Sequence, residues 1–197
     1  MCAKINLKGM MIMNPKKTLT IKSKNINPKN YLYALLILVG GILLVWYIFE
    51  WYQVKKEEKL MNSYLITSKT INSKIDDLSS LELIRQEAPS SYFIFLSYTN
   101  DEEVYNLEKN LKRVIDKFKI NDIFYYIDVT NIMEQENYLD NIESAIGVSN
   151  LEKMPAIIYV HEGKILESNV LDGVGNNILK VEDLEDILEI YEFEAVK

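Results

Sequence analysis

Apolar positions change period several times along these 197 residues, and each change marks an element. From Tyr31 to Phe49 the run YLYALLILVGGILLVWYIF carries no charge. At about 1.5 Å per helical residue it covers a hydrocarbon core of roughly 30 Å. Tyr31 and Tyr33 flank one end and Trp46, Tyr47, Trp51 and Tyr52 the other, as aromatic side chains do at the headgroup layer. The pattern predicts a transmembrane helix over residues 31–52. The flank EWYQVKKEEK offers no small-residue cleavage site, which predicts an uncleaved signal anchor. Gly40-Gly41 makes no GxxxG frame for helix pairing.

Beyond the span, residues 53–75 are polar and lack Gly and Pro, reading as a helical stalk with a possible first strand near Tyr64–Ile75. Leu78, Leu81 and Ile84 then predict a short helix ended by Pro89. Tyr92–Ser97 (YFIFLS) is nearly continuous apolar, as a central strand buried on both faces would be. In the next segment Val104, Leu107, Leu111, Val114, Ile115 and Phe118 share one helical face. Acids open that helix and Lys109, Lys112, Arg113 and Lys117 follow, matching the helix dipole. Ile123–Val129 reads as a second buried strand and Asn137–Ile146 as a weaker helix. Ala156–Val160 and Lys164–Ser168 read as a hairpin around His161-Glu162-Gly163, and Leu184, Ile187, Leu188 and Tyr191 define a closing helix. This order demands an α/β fold, a mixed sheet covered by helices on both faces, over residues 76–197.

Charge sets the expected topology. Residues 1–30 carry seven Lys and no acid, leaving 15 basic against 29 acidic groups in the remainder. The excess of Lys before the helix predicts a basic cytoplasmic tail and an acidic extracytoplasmic domain in the cell envelope. An acidic body argues against nucleic acid as a partner. Lys, Asn and Ile are abundant, as AT-rich coding DNA would give, and Lys8-Gly9 before Met10, Met11 and Met13 could be a translated ribosome-binding site. The start would then be one of those three methionines. Cys2, the one cysteine, follows no lipoprotein signal.

Three segments carry a resemblance: YFIFLSYTNDEEVYNLEKNL, IFYYIDVTN and AIGVSNLEKMPAIIYVHEGKILE. Their sequence of strand, turn, helix, strand and helix, then a Gly-Val step, a Met-Pro pair and a hairpin, is similar to the thioredoxin family over residues 64–197. Gly147, Pro155 and Gly163 match the family's helix-ending glycine, cis-proline and hairpin turn. The resemblance implies a thioredoxin-like mixed sheet with a cis Met154–Pro155 bond. It also implies that the loop before the cis-proline pairs with an extended peptide, so that Met154 and Pro155 would line a binding surface with Tyr98, Thr99, Asn100, Asp101, Glu102 and Glu103. The departure from the family is decisive: where its CxxC would fall stands Asn100-Asp101-Glu102-Glu103. Without a thiol in the outer domain, thiol–disulfide exchange is chemically excluded.

The acids at this junction read as a helix cap, with Thr99 or Asn100 at the N-cap and Glu102 or Glu103 three residues on. His161 reads as a surface histidine, since no partner with metal-ligand spacing is present. Asp128 fits turn chemistry. The acids from Glu182 to Glu194 read as the solvated face of the last helix. Gly173 and Gly175 form no phosphate loop. No catalytic constellation, metal site or cofactor motif is present. The sequence therefore points to a redox-inactive binding or scaffold module held at the lipid bilayer, with a protein or peptide partner at the envelope. Two rivals remain. One is an accessory of a bacteriocin or peptide exporter, by resemblance to membrane-anchored thioredoxin-like accessory proteins. The other is a non-thiol envelope enzyme using Asp101, Glu102 or Glu103 with His161.

Overall fold

The computed structural model describes residues 28–75 and 78–196. The basic tail before residue 28, Cys2 and the alternative starts lie outside the described residues. The chain divides into two units, one reaching Ile48 and one starting at Phe49.

Helix α1 covers Pro28–Leu60. Its apolar stretch has a mean hydropathy of 2.5, long and apolar enough to cross a membrane, and none of that stretch is buried in protein. Residues 53–60 extend the same helix.

The second unit is an α/β domain. Its elements follow as α2 (Tyr64–Thr67), β1 (Lys74–Ile75), α3 (Leu81–Glu87), β2 (Tyr92–Ser97), α4 (Glu102–Phe118), β3 (Phe124–Asp128), α5 (Tyr138–Ile146), β4 (Ala156–His161), β5 (Lys164–Leu171) and α6 (Val181–Ile190). Five strands form one sheet in the order β1-β3-β2-β4-β5. β1 and β2 both run parallel to β3, whereas β4 is antiparallel to β2 and to β5. The Met154–Pro155 bond is cis. Strand order, helix placement and this proline together make the fold thioredoxin-like, as the resemblance implies.

The first strand is shorter than the expected Tyr64–Ile75. Ser63 caps Tyr64–Thr67 into a helical turn by accepting from the Ile66 N–H, and Lys69 follows at φ 55°, a left-handed value no strand tolerates. Lys74 and Ile75 pair with Tyr126 and Ile127 of β3, and the Ser73 carbonyl accepts the Tyr126 N–H at 3.0 Å.

Alternation along the central strands sorts the core into two layers. Phe93, Phe95, Phe124, Tyr126, Ile157 and Tyr159 face α4, α6 and the α2 region. Tyr92, Ile94, Leu96, Ile127, Ile158 and Val160 face α3 and α5. All six residues of β2 are buried, as a strand covered on both faces must be. Each large apolar side chain so buried contributes about 1.5–3 kcal/mol. The α5 helix ends at Gly147, φ 79°, a left-handed cap that turns the chain toward the cis-proline. The β4–β5 hairpin turns on Glu162 and Gly163, both at positive φ, the geometry of a type I′ turn.

Candidate functional site

The expected site lies where β2 ends and α4 begins. Tyr98 follows β2, half-buried, and packs against the layer that contains Met154. Burial pushes its phenol above the ordinary tyrosine value, and the negative charges of Asp101 and Glu103 add to the shift. The Thr99 N–H donates to Thr130 Oγ1 at 3.0 Å, and Thr130 Oγ1 donates to Asp128 Oδ1 at 2.6 Å. Asp128 thus organises the turn after β3, as turn chemistry expects, and its other oxygen lies 3.6 Å from Lys74 Nζ.

The helix cap differs from the sequence expectation. Neither Thr99 nor Asn100 caps α4: Asp101 does, its Oδ1 accepting from the N–H groups of Glu103 at 2.8 Å and Val104 at 2.9 Å. Asn100 is unavailable because it sits at φ 63° and turns its own N–H onto the Leu60 carbonyl, 2.8 Å away. Asparagine tolerates this left-handed conformation better than most residues, which suits it to the sharp entry into the helix. Glu102 and Glu103 sit in the first turn, where the helix dipole favours negative charge. Glu102 forms an ion pair with Lys56 of α1 at 2.6 Å and Glu103 is exposed.

Met154 and Pro155 share this end of the sheet, since Leu96 pairs with Ala156 and the next residues on each strand are Ser97 and Pro155. They do not line the surface in this conformation. Met154 is 1% exposed and Pro155 is buried. Side chains hold the loop before them: Glu143 Oε1 accepts from the Leu151 N–H at 2.6 Å and Asp172 Oδ2 from the Glu152 N–H at 2.6 Å.

One residue of this neighbourhood escaped the sequence reading. Glu108, 1% exposed, sits on the buried face of α4. Its Oε2 accepts from Ser63 Oγ at 2.7 Å, the Tyr64 N–H at 2.5 Å and the Leu65 N–H at 3.3 Å; its Oε1 accepts from Ser97 Oγ at 3.0 Å. Burial pushes the carboxyl above the usual carboxylate range, against the pull of these four donors toward the charged form. The Tyr126 hydroxyl is buried beside it, close to the same Ser63 and Ser97 side chains. A signal was present: Glu108 is four residues after Val104 and three before Leu111, an acid written into an apolar stripe.

The structure does not bring together the residues that the enzyme rival names. His161 ends β4 at the edge where β2 begins, because Val160 pairs with Tyr92, while Asp101–Glu103 follow the far end of β2. The length of β2, roughly 16 Å at 3.3 Å per residue, separates them. His161 instead packs in an aromatic group, its ring centroid 4.7 Å from Tyr191 and its Nδ1 3.2 Å from the Tyr159 hydroxyl. Among the described residues no group of His, Cys, Asp or Glu is placed to hold a metal ion. A larger concavity, about 1030 Å³, runs between α4 and the segment leading into α6. Asn106, Asn110, Arg113 and Asn177 line it, together with Lys117 and Glu185, which form an ion pair at 2.9 Å.

No protein-family model matches the chain, and no curated protein matches it. Solved structures similar to it are thioredoxins. Mitochondrial thioredoxin 3 from Saccharomyces cerevisiae is 14% identical over 62% of this chain and 96% of its own, at a TM-score of 0.42. Thioredoxin NaTrxh from Nicotiana alata is 17% identical over 62% and 92%, also at 0.42. Thioredoxin O2 from Arabidopsis thaliana is 12% identical over 62% and 94%, at 0.41.

Proposed function

We propose that this chain is a membrane-anchored thioredoxin-like domain that faces outside the cytoplasm and binds a protein or peptide partner without redox chemistry. The observation that carries this reading is the state of the α4 N-terminus. Thiol chemistry requires a sulfur at that positive helix end; here Asp101 satisfies its amides and no sulfur is present. A segment freed from catalysis but held at the surface by its own hydrogen bonds is suited to recognition. The Lys-rich tail, the uncharged span and the acidic domain support a cytoplasmic N-terminus and an envelope location.

Two experiments test the reading. Protease added to intact protoplasts should remove the domain beyond about residue 60 and spare the tail; protection of the domain reverses the topology. Photo-crosslinking side chains placed at Tyr98 and, as a control on α6, at Ile190 should report the partner in intact membranes. Adducts at Tyr98 and none at Ile190 are expected. Adducts confined to Ile190, or reduction of insulin disulfides by the purified protein, would refute it.

A further inference from the structure

The end of α1 does not stand clear of the domain. The Leu60 carbonyl, one of the last in α1 and so without a helical partner, accepts the Asn100 N–H at 2.8 Å. Lys56 pairs with Glu102 at 2.6 Å. The chain then turns through Met61 and Asn62, and Ser63 with the N–H groups of Tyr64 and Leu65 converges on Glu108. A narrow cavity of about 90 Å³ remains under this elbow, lined by Met61, Asn62, Ser63, Thr99 and Asp128. The juxtamembrane segment thus lies over the ends of β2 and β3 and the start of α4, the same place as the Tyr98–Glu103 surface.

The contacts that hold it are unequal. The Lys56–Glu102 pair is exposed, with 41% and 59% of the two side chains accessible, and exposed pairs contribute little. Met61 and Asn62 are exposed. Leu65 and Ile71, by contrast, belong to the core and tie the chain down beyond the elbow. Between these lies the one buried polar attachment, the Glu108 carboxylate, reaching Ser63 and the first amides of α2.

We propose that Lys56–Tyr64 is a releasable cover over Thr99 and the Asn100 backbone, the part of the Tyr98–Glu103 surface that it touches, latched by Glu108, so that a partner gains this part only when the cover lifts, while Glu102 and Glu103 stay exposed beside it. The proposal rests on the reading of Tyr98–Glu103 as the binding surface, but the cover itself can be tested without a partner. The test uses the full chain in lipid nanodiscs with Cys2 replaced by Ser. A single thiol is introduced by Thr99→Cys under the cover or by Glu167→Cys on exposed β5, and maleimide labelling is timed. Thr99→Cys should label more slowly than Glu167→Cys. Adding Glu108→Gln should speed the first by about tenfold or more, the effect of losing hydrogen bonds to a buried charge, and leave the second unchanged. Amides of β2 should keep their protection from hydrogen exchange. Equal Thr99→Cys rates with and without Glu108→Gln would overturn the latch. So would acceleration matched by an equal loss of β2 protection, which is global unfolding. Should Glu108→Gln fail to fold, Ser63→Ala removes one donor from the cover's side together with the cap of α2, and must produce the same selective acceleration with β2 protection kept. A cover that opens as described with no crosslink at Tyr98 would refute the binding role and leave the cover standing.

Discussion

Replacing Asp101 by Ala is the sharpest test of how α4 begins. The change removes an acceptor from two N–H groups, at 2.8 and 2.9 Å, that have no partner within the helix. Loss of an N-cap costs about 0.5–2 kcal/mol. Loss of a negative charge at the positive end of the dipole costs about 0.3–1 kcal/mol more. At mid-range values the sum expected for Asp101→Ala is about 2 kcal/mol. Asp101→Asn keeps the acceptor and loses only the charge, so it should cost about 0.5 kcal/mol and less at high salt. Thr99→Ala touches no amide of the helix and should cost less than about 0.5 kcal/mol.

The assay must report the α/β domain alone. Trp46 and Trp51 both lie in α1, so tryptophan fluorescence would follow the wrong element. Near-ultraviolet circular dichroism of the domain's tyrosines during a urea titration in nanodiscs avoids this. With a slope of about 1–3 kcal/mol per molar urea, a loss of about 2 kcal/mol in Asp101→Ala should lower the midpoint by roughly 0.7–2 M. Two results refute the reasoning. If Thr99→Ala costs more than Asp101→Ala, the cap lies elsewhere. If Asp101→Asn costs as much as Asp101→Ala, charge rather than the hydrogen-bond acceptor holds the helix start.

Three further outcomes are expected. Tyr126→Phe removes a buried hydroxyl that lies near Ser63 and Ser97 without a well-formed hydrogen bond, so the variant should match or exceed the wild type by up to about 1 kcal/mol in the same titration; a loss above that size would show that one of these serines holds it. Gly173→Ala places a Cβ onto the Asn177 carbonyl oxygen and should destabilise by about 1–3 kcal/mol; an unchanged midpoint would mean the 172–178 loop yields freely. Because burial raises the Glu108 carboxyl in the folded state, its contribution to stability is fully present below the unfolded carboxyl value and is lost as pH rises through the folded one. The wild type should therefore gain on Glu108→Gln between pH 7 and pH 5, measured as the difference of their urea midpoints; Tyr105 and Tyr126, the titratable neighbours, stay neutral across that window.

Most of the domain could be read from its pattern because two-sided burial leaves little room for other residues. YFIFLS sends alternate side chains into two different apolar layers, so every position must be apolar or small. The α4 stripe is legible for the opposite reason, since only one face is buried and the period shows. What escaped depends on contacts distant in sequence. Three good capping residues stand in a row at Thr99-Asn100-Asp101, and the choice among them is made by Leu60, whose carbonyl draws the Asn100 N–H away. Likewise nothing local announces that Ser63 will cap a turn in what looks like a strand, because its hydroxyl also serves a carboxylate 45 residues on.

The same carboxylates that stabilise this helix start work against any thiol placed there. A thiol at a helix N-terminus becomes reactive because the unsatisfied amides and the positive pole of the dipole favour its thiolate. In this chain Asp101 already accepts the two foremost amides, and Glu102 and Glu103 add negative charge within the same turn. Each disfavours a second anion by like-charge repulsion. Lys56 offsets only part of this, being exposed and engaged with Glu102. The departure from the thioredoxin pattern is therefore wider than the absence of two sulfurs, because the electrostatic setting that would activate them is reversed as well. What the new setting favours is a closed helix end with an acidic rim, on which the Asn100 backbone and the Glu102 side chain are joined to α1.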